Sequence, residues 1–145
     1  LDALLEPTRI YVKSIRSVLL QCPGAIHSLA HITGGGITEN LNRALPSTLD
    51  AEIQVGSWNM VPILPWVCRA AHLNETEALK TFNMGLGMIL AVAPQKAEEV
   101  AQLLADAGEE VYIVGQVVPG VGKVVYLDEE ELFAAYSEDE EAEED

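Results

Sequence analysis

Cysteine is scarce in this sequence, and the way it is placed excludes several kinds of site. Only Cys22 and Cys68 are present, and neither lies in a CxxC pair or at the spacing of metal ligands. A disulfide framework is therefore not indicated, and we expect two reduced thiols that are buried or half-buried. The chain also lacks an apolar run of about 20 residues, which is the length that spans a bilayer. It lacks the basic start and apolar stretch of a secretory signal as well. We expect a cytoplasmic protein with no membrane partner.

Basic residues are also few. Lys and Arg number 8 against 23 Asp and Glu, which gives a formal net charge of −15. Eleven of the acids lie in residues 128–145, so residues 1–127 carry 12 acids against 8 bases. No nucleic-acid partner is expected, because binding to a phosphate backbone requires a basic surface. Residues 137–145 repel one another and cannot bury enough apolar surface to fold, so we expect a disordered acidic tail.

The length of 145 residues and the hydrophobic content of 49% predict one folded domain. Residues 1–10 begin without an initiator Met, and Pro7 favours an extended residue before it. We interpret residues 1–10 as the end of an interdomain linker from a missing N-terminal half. Residues 11–136 are expected to form a C-terminal α/β domain.

Hydrophobic spacing predicts an α+β fold. Helical spacing and capping signals mark helices near residues 12–21, 38–45, 66–70, 74–80 and 94–107. Alternating or β-branched residues mark strands near residues 25–32, 49–55, 88–93, 111–118 and 123–127. The last two strands are separated by Pro119-Gly120 and are predicted to form a hairpin. Together these elements favour a layered α/β sandwich with a mixed sheet of about four or five strands and flanking helices.

The most informative stretch is residues 30–46, which read AHITGGGITENLNRALP. A predicted strand leads into three glycines, and the glycines lead into a predicted helix. Such a turn exposes N–H groups beside the positive end of a helix, which suits an anion. His31 and Thr33 add an imidazole and a hydroxyl beside the same N–H groups. The alternative is a plain strand-to-helix turn that binds no ligand.

His27 lies four residues before His31 along the predicted strand, so both side chains are expected on one face. The pair could bind a metal ion, but no third ligand is evident in the sequence. We therefore interpret His27 as a partly buried packing residue and assign no metal ligand in this chain.

Five segments in order give the chain a family resemblance. They read LLEPTRIYVK, AHITGGGITENLNRALP, GSWNMVPILPWV, TFNMGLGM and YIVGQV. This order resembles the C-terminal half of the phosphoribosylformylglycinamidine cyclo-ligase family, also called aminoimidazole ribonucleotide synthetases. The resemblance implies an enzyme of de novo purine synthesis that closes an imidazole ring with ATP and Mg²⁺. It also implies a homodimer whose cleft lies between the two halves, with most of the nucleotide and metal site in the N-terminal half.

The resemblance carries site residues onto this chain. It implies a catalytic role for His31, which could donate to a phosphate or to the oxygen that becomes phosphorylated, move a proton during ring closure, or make a structural hydrogen bond. It implies substrate or phosphate binding by a second group of residues: Thr33, Gly34, Gly35, Gly36, Glu39, Asn40, Arg9 and Asn83. The implied ligands are formylglycinamidine ribonucleotide and ATP.

Two other functions remain open at this stage. The chain could belong to a relative in the same superfamily that phosphorylates a different small molecule. It could also be a non-catalytic interaction module whose acidic tail binds a partner.

Overall fold

The computed structural model describes residues 1–136, and the acidic tail expected at residues 137–145 lies outside them. The helices of this part are α1 (Val12–Gln21), α2 (Gly36–Arg43), α3 (Ile63–Ala70), α4 (Glu75–Thr81) and α5 (Ala97–Asp106). The strands are β1 (Ile26–His31), β2 (Leu49–Gln54), β3 (Met88–Val92), β4 (Gly115–Pro119) and β5 (Val124–Leu127). Short 3₁₀ turns occur at Asp2–Leu4, Pro94–Lys96, Glu129–Leu132 and Ala134–Tyr136. This content confirms the predicted α+β class.

The five strands are divided between two sheets. β1 pairs with β3 in an antiparallel ribbon that places Ala30 opposite Ile89 and His31 opposite Met88. The second sheet has the order β4-β2-β5 and is mixed, because β2 runs antiparallel to β4 and parallel to β5. The expected number of strands is therefore found, although they do not form one continuous sheet.

The predicted hairpin between the last two strands is wrong. β4 and β5 lie on opposite edges of β2 and do not pair with each other. The connection between them crosses the end of β2, where a carboxylate oxygen of Asp50 accepts hydrogen bonds from the N–H groups of Val121 and Lys123, each at 2.8 Å. Pro119-Gly120 marks a change of chain direction both in the predicted hairpin and in the observed sheet. The turn residues alone therefore could not show that β2 lies between β4 and β5.

Two groups of buried side chains hold these layers together. The main core takes residues from both sheets and from α2, α3 and α4, including Ile37, Ile53, Leu79 and Ile89. The second core joins α1 to α5. β3 contacts both cores because alternate side chains of a strand point to opposite faces. Cys22 and Cys68 are free and buried, which confirms the expectation for the thiols.

Helix α4 begins with the capping box that the sequence predicts. The Asn74 side chain accepts from the Glu77 N–H at 2.9 Å, and the Glu77 carboxylate accepts from the Asn74 N–H at 3.1 Å. Such a cap fixes the start of a helix, and here it sets the position of the carbonyl groups at the other end of α4, which contact the turn described below. No helix within residues 1–136 is long and apolar enough to cross a membrane.

Candidate functional site

Residues 33–36, which we call the glycine turn, join the end of β1 to the start of α2. Gly35 and Gly36 both have positive φ angles, 94° and 63°, and the Gly36 N–H donates to the Thr33 carbonyl at 3.0 Å. Left-handed backbone of this kind is costly for residues that carry a side chain. The structure therefore confirms a strand, a tight turn and a helix start at this point.

Two of the three glycines are required by the fold itself. A Cβ atom on Gly36 would collide with the carbonyl oxygen of Leu79 and would lie 2.8 Å from that of Phe82, at the end of α4. A Cβ atom on Gly35 would collide with the carboxylate of Glu39. These positions are explained by packing and by backbone conformation, without a ligand.

Gly34 differs from both of its neighbours. It is exposed, its φ lies outside the left-handed region, and no atom lies within 4 Å of the place where a Cβ would be. Within residues 1–136, the main-chain N–H groups of Gly34 and Gly35 donate to no main-chain oxygen. The turn therefore presents open main chain with N–H groups available to an acceptor.

Asn40 holds the inner side of the glycine turn. Its side-chain amide nitrogen donates to the carbonyl oxygens of Thr33, Gly34 and Gly36 at 3.3, 3.2 and 2.8 Å. Its side-chain oxygen accepts from Nη2 of Arg43 at 3.0 Å, and Nε of Arg43 also donates to the Glu39 carbonyl at 3.3 Å. The structure thus places Asn40 against the turn as a support, with its amide groups already bonded within the chain.

His31 lies at the exposed end of β1, directly before the glycine turn. The ring of Tyr11 meets the imidazole edge-on, with centroids 6.1 Å apart and planes at 70°. The Tyr11 hydroxyl occupies the space that a Cβ on Gly87 would need. Burial and the carboxylate of Glu109 raise the pKa of Tyr11. Tyr11 was not predicted as a site residue, and a single aromatic residue at the edge of a linker gave no signal for it.

His27 and His31 both lie on the exposed face of β1, so the prediction of one shared face is confirmed. His27 is exposed, however, and the interpretation of it as a partly buried residue is wrong, because the other face of β1 packs on the core. No group of three or more His, Cys, Asp or Glu among the described residues could hold a metal ion.

A second loop, residues 83–87, lies beside the glycine turn. The Ile32 N–H donates to the Gly87 carbonyl at 2.9 Å, which joins the two loops at one end of the β1–β3 ribbon. Within this loop the Asn83 side chain accepts from the Gly85 N–H at 2.9 Å, and Gly85 has a φ of 95°. Asn83 therefore shapes the loop in which it lies.

Arg9 is not brought to the glycine turn. Its Nε pairs with the Glu109 carboxylate at 2.7 Å, and its Nη2 donates to the Gly108 carbonyl at 3.0 Å. The other Glu109 oxygen accepts from the Ser14 hydroxyl at 2.6 Å. Arg9 thus fastens residues 1–10 to the end of α5. A cavity of about 180 Å³ adjoins this contact, and its lining is mostly apolar and excludes residues 33–40.

Comparisons with known proteins place this chain beside one group of enzymes. The family described as AIR synthase related protein, C-terminal domain, matches residues 1–128. A phosphoribosylformylglycinamidine cyclo-ligase from Brevibacillus brevis is 46% identical over 125 residues, which cover 86% of this chain and 36% of the relative. Proteins of the same name from Nitrosococcus oceani and Geobacillus kaustophilus are 47% and 45% identical, covering 81% and 83% of this chain. The chain spans about a third of the length of these relatives.

Proposed function

The chain belongs to the family of AIR synthase related proteins, C-terminal domain, and from this membership we propose that it is the C-terminal part of an ATP-dependent cyclo-ligase. The reaction is the conversion of formylglycinamidine ribonucleotide to aminoimidazole ribonucleotide in de novo purine biosynthesis. The identity of 45–47% with proteins named phosphoribosylformylglycinamidine cyclo-ligase supports this assignment. It favours the cyclo-ligase over a relative that phosphorylates another small molecule.

The role of this chain is to line a phosphate site with the glycine turn. Gly34 carries the proposal, because no contact or φ angle within the described residues requires a glycine there. A glycine in open space lets a ligand approach the main chain closely. The available N–H groups of Gly34 and Gly35 and the start of α2 provide donors and a partial positive charge for an anion. Both ATP and the ribonucleotide substrate carry phosphates that fit this description.

His31 is the catalytic residue of the proposal. Its exposed imidazole lies two residues before Thr33, where the glycine turn begins. The ring of Tyr11 limits the movement of the imidazole on one side. An imidazole can donate a hydrogen bond to a phosphate or transfer a proton near neutral pH. Either action would help when ATP phosphorylates the amide oxygen of the substrate and the ring then closes.

The described residues fit the phosphates of ATP better than they fit Mg²⁺. The glycine turn offers N–H donors, whereas Mg²⁺ prefers carboxylate, carbonyl and phosphate oxygens. No group of three or more possible protein ligands occurs within residues 1–136. Ligands for the metal would therefore come from the rest of the enzyme and from the bound phosphates.

The chain spans about a third of these relatives, which supports a neighbouring N-terminal half, and the family resemblance implies the remaining partners. We place this domain beside an N-terminal half in a cytoplasmic homodimer, with the cleft between the halves. Several exposed apolar side chains near the start of the chain support such an interface, including Leu1, Leu5, Ile10 and Val12, which are 68–89% exposed.

Kinetics of Gly34→Ala in the full-length protein test the proposal. The assay follows formation of aminoimidazole ribonucleotide from formylglycinamidine ribonucleotide and ATP. We expect the substitution to raise KM for one phosphate-bearing ligand about tenfold, the loss expected for one charge-assisted hydrogen bond. The free energy of unfolding should stay the same or rise by up to about 1 kcal/mol, because alanine fits the backbone here.

Two further variants complete this experiment. Gly24→Ala is the matched control, because Gly24 also has open space around it but lies at the opposite end of β1. Its KM should not change. His31→Ala should lower kcat by more than its effect on folding accounts for, about a hundredfold for a lost acid or base. Absence of product with the wild-type protein would refute the assigned reaction, and unchanged KM in Gly34→Ala would refute the role of the turn.

A further inference from the structure

We propose that Arg43 is a positioning residue that acts through Asn40 to aim the N–H groups of the glycine turn at an anion. The inference rests on the proposed phosphate site, and it assigns a function to a residue that does not belong to the turn. Arg43 lies in the last turn of α2, seven residues beyond Gly36, and its side chain is exposed.

The orientation of the Asn40 amide is the first step. An asparagine side chain can present either its oxygen or its NH₂ group in a given direction. Arg43 has only donors, so its Nη2 at 3.0 Å requires the Asn40 oxygen on its own side. The NH₂ group must then face the turn. The reverse orientation would bring the amide oxygen against three carbonyl oxygens and the NH₂ group against a guanidinium.

The second step follows from the geometry of the peptide bond. The carbonyl oxygen and the following N–H of a trans peptide point in opposite directions, and the described residues contain no cis peptide. Asn40 binds the carbonyl groups of Thr33 and Gly34. These carbonyl groups share their peptide planes with the N–H groups of Gly34 and Gly35. Holding the carbonyl groups on Asn40 therefore turns those two N–H groups away from it.

These N–H groups are the ones that donate to no main-chain oxygen within residues 1–136. Asn40 thus orients the donors that the proposed anion site requires, and Arg43 anchors the other end of the Asn40 amide in the orientation that the three carbonyl oxygens also select. Arg43 is itself held at two points, because its Nε also donates to the Glu39 carbonyl. A planar guanidinium can make both bonds at once, whereas a lysine ammonium is a single point of charge and cannot reproduce the fork.

A double-mutant cycle in the full-length protein tests this assignment. The variants are Arg43→Ala, Asn40→Ala and the double substitution, with Arg43→Lys to keep the charge. Arg16→Ala is the matched control, because Arg16 is an exposed arginine on α1, away from the turn. The measurements are KM and kcat for substrate and ATP, binding of inorganic phosphate by calorimetry, and hydrogen exchange of the Gly36 N–H, which donates to the Thr33 carbonyl within the turn.

We expect Arg43→Ala to raise KM for the phosphate-bearing ligand about tenfold, as for the loss of one charge-assisted hydrogen bond. Asn40→Ala should raise it more, and the double variant should match Asn40→Ala within about twofold, because the two residues act in series. Arg43→Lys should stay closer to Arg43→Ala than to the wild type. Exchange of the Gly36 N–H should quicken in each of these variants, because its bond to the Thr33 carbonyl loosens, and should remain unchanged in Arg16→Ala.

Two results would overturn the inference. If the effects of Arg43→Ala and Asn40→Ala on KM multiply, Arg43 acts on the ligand directly and does not act through Asn40. If exchange of the Gly36 N–H, which donates to the Thr33 carbonyl, is unchanged in Arg43→Ala, the arginine does not hold the turn. Hydrogen exchange needs no substrate, so it tests the positioning role even if the wild-type protein makes no aminoimidazole ribonucleotide. Absence of product with the wild-type protein would refute only the proposed function.

Discussion

Alanine at Gly36 should destabilise the domain much more than alanine at Gly24. Both glycines have positive φ angles, 63° and 76°, so both substitutions force a side chain into left-handed backbone. That strain costs about 1–2 kcal/mol. At Gly24 nothing lies within 4 Å of the added atom, whereas at Gly36 the atom meets the carbonyl groups of Leu79 and Phe82.

The difference in free energy of unfolding between Gly24→Ala and Gly36→Ala measures the cost of the contact between the added Cβ and the carbonyl groups of Leu79 and Phe82. Main-chain oxygens at the end of a capped helix cannot move aside cheaply, and overpacking of this kind costs about 1–3 kcal/mol. We therefore expect a loss of about 1 kcal/mol for Gly24→Ala and of about 3 kcal/mol or more for Gly36→Ala. For a domain of this size the larger loss corresponds to a fall in Tm of about 10 °C.

Urea unfolding followed by tryptophan fluorescence provides the assay. Trp58 is 7% exposed and donates to the Met84 carbonyl at 2.8 Å, so its emission reports on the core that Gly36 joins. The slope of unfolding free energy against urea should be equal in the wild type and both variants, which would show that the same surface is exposed. Equal losses for the two variants would refute the reasoning, because the contact with α4 would then contribute nothing.

Two further predictions concern the dependence of stability on pH. The Tyr126 hydroxyl bonds Thr38 at 2.7 Å, and burial raises the pKa of Tyr126 to about 12 from 10.0. The unfolded chain therefore loses this proton first, and stability falls as pH rises from 10 to 12. Tyr126→Phe should cost about 1 kcal/mol at pH 7 for the lost hydrogen bond and should flatten this alkaline fall in urea titrations. On the acid side, the N–H groups of Lys123 and Val121 lower the pKa of Asp50 below 3.8. Its contribution is present above pH 3.8 and is lost as pH falls through the lowered pKa, so Asp50→Asn should reduce the slope of stability against pH below 3.8. If the free energy of unfolding of Asp50→Asn falls with acid pH as steeply as that of the wild type, Asp50 does not make this contribution.

Local signals in the sequence predicted local structure well. The capping box at Asn74 and Glu77 and the strand, turn and helix around the three glycines are found where the pattern places them. These features depend on side chains that bond to their own neighbouring main chain, so a short window contains the whole cause. The neighbours of β2 depend on contacts between distant residues, and the sequence pattern of β4 and β5 gave a wrong pairing for that reason.

At the candidate site, too, the sequence predicted local structure but not the contacts between side chains. The glycine turn was recognisable, but the tasks of the residues around it were not. Asn40 and Arg9 were predicted to bind substrate or phosphate, and both stay predictions; the structure shows Asn40 bonded to the turn and Arg9 paired with Glu109. Arg43 had a signal that could have been used, because it follows Asn40 by three residues on a helix, the spacing at which side chains meet. Tyr11 had none, since it lies directly before α1 and its contact with His31 joins two positions that are distant in the sequence.

The order of strands in the mixed sheet has a consequence for synthesis of the protein. β2 leaves the ribosome before β4 and β5, which cover its two edges and are made more than 60 residues later. Until residue 127 has emerged, β2 presents hydrogen-bonding groups without their native partners, and such edges promote aggregation. Completion of this sheet therefore depends on pairing between residues that are distant in the sequence, which slows its formation.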